Sequence, residues 1–106
     1  MGPEPKEQAL LVYLKLSDDE FGDFDEREAI FALEDRLIQA IASTSAGEYD
    51  GHEFGEGFGI LYMYGANADQ LFNAVISTLR EYSSRSGSYI LKRYGGPGTN
   101  EEQIDL

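Results

Sequence analysis

The chain of 106 residues is 42% apolar, with seven Tyr and six Phe, so it suits a single domain that buries roughly two-thirds of its unfolded surface. It contains no cysteine, which excludes disulfides, thiolate metal sites and a Cys nucleophile and makes a reducing cytoplasm the expected compartment. A net charge of −12 disfavours nucleic-acid phosphates and favours a basic partner.

The charge is uneven. Residues 1–56 hold fifteen acids against four Lys/Arg, and residues 57–106 hold five against four. The opening "MGPEPKEQ" is polar and has no apolar h-region, so no secretory signal is expected. No apolar run approaches the length of a membrane span, and no membrane partner is expected.

Residues 9–16, "ALLVYLKL", read as a strand with Leu10, Val12, Leu14 and Leu16 on one face and Leu11, Tyr13 and Lys15 on the other. The acidic turn "SDDEFGDFDERE" follows. In "REAIFALEDRLIQAIAS" the spacing of Ile30, Leu33, Leu37 and Ile41 predicts an amphipathic helix, with Phe31 and Ile38 widening its apolar stripe. Asp23 or Asp25 can cap that helix, with Glu26 or Glu28 closing a capping box three residues on. The stretch "STSAGEYDGHEFGEG" reads as a loop and a short strand ending in glycines. "DG" signals a hairpin or bulge, and "GEG" is the other candidate for the turn.

"FGILYMY" is a further strand, and Asn67 with Gln70 is expected to make a capping box that opens a second helix, whose buried stripe is Leu71, Phe72, Val75, Ile76, Leu79 and Tyr82. The turn "SSRSGS" precedes a last strand, "YILKRY", residues 89–94. The tail "GGPGTNEEQIDL" is expected to be mostly loose, leaving an ordered core of about 9–94 between polar tails.

The order β-α-β-β-α-β resembles the ferredoxin-like sandwich, an α+β fold with a four-stranded antiparallel sheet and two helices on one face. The resemblance is to an architecture and implies strand order 4-1-3-2, with the second strand at an edge. That fold hosts many activities, so the site has to be argued from its own residues.

Several chemistries fail on spacing. Asp50, His52 and Glu56 offer N and O ligands, but His52 is the only histidine, and no metal or other cofactor is expected. "GEGFG" has Ile60 where a dinucleotide fingerprint needs Gly, and a strand follows it where a helix is required. A calcium loop from Ser17, through Asp19, Gly22 and Asp25 to Glu28, puts Phe21 at a ligand position and follows a strand. No G-x-S-x-G is present, and no catalytic residue is assigned.

What remains is surface. Tyr62 and Tyr64 alternate with Leu61 and Met63, so they share the open sheet face with Tyr13, and Tyr89 or Tyr94 joins them according to register. Tyrosine suits protein interfaces, having a large apolar body and a polar tip. The sequence thus points to a small, non-catalytic interaction module. Asp18, Asp19, Glu20, Asp23 and Asp25 would steer a basic protein, and Tyr13, Tyr62 and Tyr64 would anchor it. An immunity-type inhibitor of a basic toxin or nuclease is one concrete form. A homodimer through the sheet is the other expected partner. The alternative is a dimeric ferredoxin-like regulatory domain that binds a small molecule; a third reading is an enzyme working through carboxylates and His52.

Overall fold

The computed structural model describes residues 8–18, 20–96 and 98–106. Its elements are β1 (Gln8–Lys15), α1 (Phe24–Ala42), β2 (Glu48–Gly55), β3 (Phe58–Gly65), α2 (Ala68–Glu81), β4 (Tyr89–Arg93) and β5 (Glu101–Asp105). All neighbouring strands pair antiparallel in the order β2-β3-β1-β4-β5. Among the described residues the fold is α+β, with two helices and a five-stranded antiparallel sheet.

The fifth strand corrects the expectation of four strands and of a loose C-terminal tail. Its alternation is faint because Ile104 is its only apolar residue. Cross-strand pairing supplies what periodicity lacks. Lys92 lies opposite Glu102 and Arg93 opposite Glu101, so opposite charges face each other along the ladder. Lys92 also binds Asp69 on α2 at 3.0 Å, and Ile104 packs against the core.

Helix α1 starts where its chemistry allows. The Asp23 carboxylate accepts the Glu26 backbone N–H at 2.8 Å and Glu26 accepts that of Asp23 at 3.1 Å, a complete capping box. Ile30, Leu33, Leu37 and Ile41 are buried by this helix; Ala68, Leu71, Val75 and Leu79 are buried by α2. All of these except Ala68 join Leu10, Val12, Leu14, Leu61, Met63 and Ile90 from the facing side of the sheet in one core. Phe31 and Ile38 do not widen the buried stripe. With Phe24 they form an outer stripe at seven-residue spacing that is 36–66% exposed.

Two irregularities shape the β2–β3 hairpin. Glu56, at φ 54°, and Gly57, at φ 84°, make a two-residue turn of the kind whose backbone twist matches paired strands. "GEG" is therefore the turn, and "DG" lies at the register shift between Tyr49 and Gly51. The extra residue there puts Tyr49 and His52 on the same, helix-facing side, although their spacing of three would separate them on a regular strand.

Candidate protein-interaction face

The helices cover only one side of the sheet. On the other side the registers align Ile60, Tyr13 and Tyr89 in one row, Tyr62, Leu11 and Leu91 in the next, and Tyr64, Ala9 and Arg93 in a third. Phe58, opposite Lys15, begins a fourth row. On the β5 side the same rows end in Asp105, Gln103 and Glu101; on the β2 side they end in Glu53, Gly51 and Glu48. The result is a half-buried, tyrosine-rich centre packed over the buried Ala9 and Leu11, with Lys15 and Arg93 in its rows, between two acidic margins. Among the described residues no helix or strand packs across it.

Tyr13, Tyr62 and Tyr64 all lie on this face, but their surroundings differ. Tyr13 stacks on Tyr89, with ring centroids 4.7 Å apart and planes 9° from parallel. Phe58 meets both rings edge-on, at 5.8 Å and 5.9 Å. Tyr62 instead donates its hydroxyl to Glu53 at 2.8 Å, and burial together with that carboxylate pushes its phenol up to about 12. Burial raises the Tyr13 phenol first, and Tyr89, Glu101 and Glu53 add to it. Tyr89 is the strand-four tyrosine that joins the face. Tyr94 lies beyond β4, with its hydroxyl against Asp69 at 2.9 Å and Glu102 at 3.0 Å.

The rings of Tyr13, Phe58 and Tyr89, with Ile60, Gly55, Glu53 and Glu56, line a recess of about 380 Å³. Sequence reading missed Phe58, Glu53 and Glu56 as members of this group. Phe58 was legible as a residue two positions ahead of Ile60 on the same face. The carboxylates became neighbours only through the hairpin.

The acidic residues chosen for steering divide in the structure. Asp18 accepts the backbone N–H groups of Glu20 and Gly22, both at 2.9 Å, and those bonds hold its carboxyl below the ordinary value. Asp23 is the α1 cap, while Glu20 and Asp25 are exposed. Asp19 lies outside the described residues. The turn reaches the same end of the sheet as the recess, because Gly57 donates to the Glu20 carbonyl at 3.0 Å and accepts from Leu16 at 2.8 Å.

His52 points away from the open face. Its Nδ1 lies 2.8 Å from Oε2 of the buried Glu34, the same oxygen that accepts the Tyr49 hydroxyl. Burial and Glu34 raise the Tyr49 phenol well above its ordinary value. Phe31 and Phe54 flank the imidazole at 5.3 Å and 5.2 Å. This cluster ties α1 to the edge strand β2. Among the described residues no three His, Asp or Glu side chains gather as a metal site, and no helix is long and apolar enough to cross a membrane.

Comparison with protein-family models, curated proteins and solved structures finds no match to this chain.

Proposed function

We propose that this chain is a non-catalytic interaction module that docks a basic protein on the open face of its sheet. The observation that carries the reading is that face: Tyr13, Phe58, Ile60, Tyr62, Tyr64, Tyr89 and Leu91 side by side, with acidic margins and no described element over them. Apolar patches rimmed by polar groups favour association, and tyrosines anchor interfaces efficiently. Charge selects the partner. A second copy would bring another −12 against the same acidic margins, whereas a basic protein is attracted from a distance and neutralises them.

An immunity-type inhibitor of a basic toxin or nuclease is the concrete form that fits. Glu20 and Asp25, exposed near the recess end of the sheet, supply steering, and the tyrosines supply the contact. We read the architecture as a ferredoxin-like sandwich with an added edge strand, a reading supported by the chain order and by the neighbours β2-β3-β1-β4. A reducing, cytoplasmic setting belongs to the same reading and rests on the lack of cysteine.

The test is capture from lysate of the native source at low and high salt, using the wild type and a Tyr13→Ala/Tyr62→Ala variant. The expected result is a basic protein held by the wild type at low salt, weakened at high salt and lost with the double variant. Capture that ignores both salt and the tyrosines overturns the reading. Retention of a small metabolite in place of a protein would transfer the face to ligand sensing.

A further inference from the structure

The recess beside the hairpin has a composition more specific than a general docking surface. We infer that it is a binding site for one organic cation, the side chain of a lysine or arginine on the basic partner, held against the Tyr13, Phe58 and Tyr89 rings and neutralised by Glu53 and Glu56. The inference rests on the interaction reading above and adds to it the chemistry of the central contact.

Three observations carry it. The first is ring geometry. Tyr13 and Tyr89 are stacked, Phe58 stands at 81° and 72° to them, and all three rings line one recess. Ring faces attract ammonium and guanidinium groups through their quadrupole. The molecule already uses this on one wall. Lys15 Nζ lies 5.6 Å from the Phe58 centroid while it donates to the Leu16 and Gly57 carbonyls.

The second observation is charge. Glu53 and Glu56 line the recess, and Tyr62 fixes one oxygen of Glu53 at 2.8 Å. A neutral apolar guest would strip water from these carboxylates and return nothing for it, whereas a cation bonds to them. The third is the backbone beneath Glu56. Its φ of 54° falls where Asn, Asp and Gly are at ease and Glu is uncommon. A residue placed against local preference beside a recess is accounted for if its carboxylate serves the guest.

The size agrees. About 380 Å³ is at the small end of ligand sites, room for one long side chain and not for a folded segment. Both sheet edges are poor templates for adding a strand instead. β2 carries a register shift, and β5 presents Glu101, Glu102 and Asp105.

Glu56→Asn is the decisive variant, because Asn suits the left-handed turn. The substitution is expected to preserve or raise thermal stability while weakening the guest, a combination that a purely structural Glu56 would not give. The probes are an octa-lysine and an octa-arginine peptide, titrated into the full chain at low salt and followed by NMR, with butylammonium as the isolated head group. The expected result is shift changes centred on Tyr13, Phe58, Tyr89 and the hairpin. Glu56→Asn and Tyr89→Leu should each weaken peptide binding about tenfold, while Asp35→Asn, the same charge change on α1, changes it less than about twofold. If the peptides bind but all three variants weaken them equally, the recess is overturned while the interaction reading survives as diffuse charge. If neither peptide binds, the interaction reading falls with it. Butylammonium binding as tightly as the peptides would make the guest a free small cation and overturn the side-chain assignment.

Discussion

Replacing Glu26 by Gln tests how the start of α1 is held. Glu26 Oε1 accepts from the Ser17 hydroxyl at 2.5 Å, the Ser17 N–H at 3.2 Å and the Asp23 N–H at 3.1 Å; Oε2 accepts from Arg85 Nε at 2.8 Å. One carboxylate thus joins the end of β1, the α1 cap and the loop before β4. Burial pushes this carboxyl up, but the hydrogen bonds from Ser17, Arg85 and the Asp23 backbone prevail and hold it at about 2, against an ordinary 4.5. The group is depressed in the folded chain, so its contribution is complete above 4.5 and disappears as pH falls toward 2. In a fully shielded site such a depression corresponds to about 3 kcal/mol. Arg85 is 52% exposed, and solvent screening brings the expected figure to about 1–2 kcal/mol. Urea unfolding of both proteins across a pH series measures it. Glu26→Gln should be less stable by about 1–2 kcal/mol at neutral pH, with the gap closing between pH 4.5 and 2. Taking the difference removes most of the background from the other carboxylates. No gap at neutral pH, or a gap unchanged down to pH 2, refutes the reasoning.

Gly65→Ala should cost about 1–3 kcal/mol, because the new Cβ would lie 2.2 Å from the backbone oxygen of Ala46. Gly55→Ala, with nothing within 4 Å, is the control and should leave the unfolding midpoint nearly unchanged. Glu34→Ala removes the acceptor of the half-buried Tyr49 hydroxyl. It should cost about 1–3 kcal/mol and bring the Tyr49 phenol down toward its ordinary value in an absorbance titration. Ile104→Asp should detach β5, read as faster hydrogen exchange at the Tyr94 and Leu106 amides, which bond to Asn100 and Ser88 at 3.0 Å.

Where a residue's partner lies within a few positions, the sequence alone located it. The Asp23–Glu26 capping box, one of two that the sequence leaves open for α1, the Asn67 cap and the alternation of Leu61 and Met63 against Tyr62 and Tyr64 are all local patterns. β5 was hidden because its single apolar residue gives no period, and its stabilising partners Lys92 and Arg93 sit across a loop. The antiparallel match of "KR" to "EE" was a usable signal. Phe31 and Ile38 were misplaced because helical spacing sets which residues share a face, not how wide a strip the sheet covers. The candidate site was half legible. Alternation put the tyrosines on one face, but only the register brought Tyr13 to Tyr89 and Phe58, and only the turn at Glu56 brought the carboxylates beside them.

The central claim is that a basic protein sits on the open sheet face and not on the helix layer, whose exposed Phe24, Phe31 and Ile38 are the competing apolar surface. Carboxyl footprinting of the captured complex, with carbodiimide labelling read by mass spectrometry, tests it most directly. The account predicts that Glu53, Glu56 and Glu101 are protected in the complex while the exposed Glu28 and Asp35 on α1 label as in the free chain. Protection of Glu28 and Asp35 with unchanged labelling of the sheet-face carboxylates would contradict it.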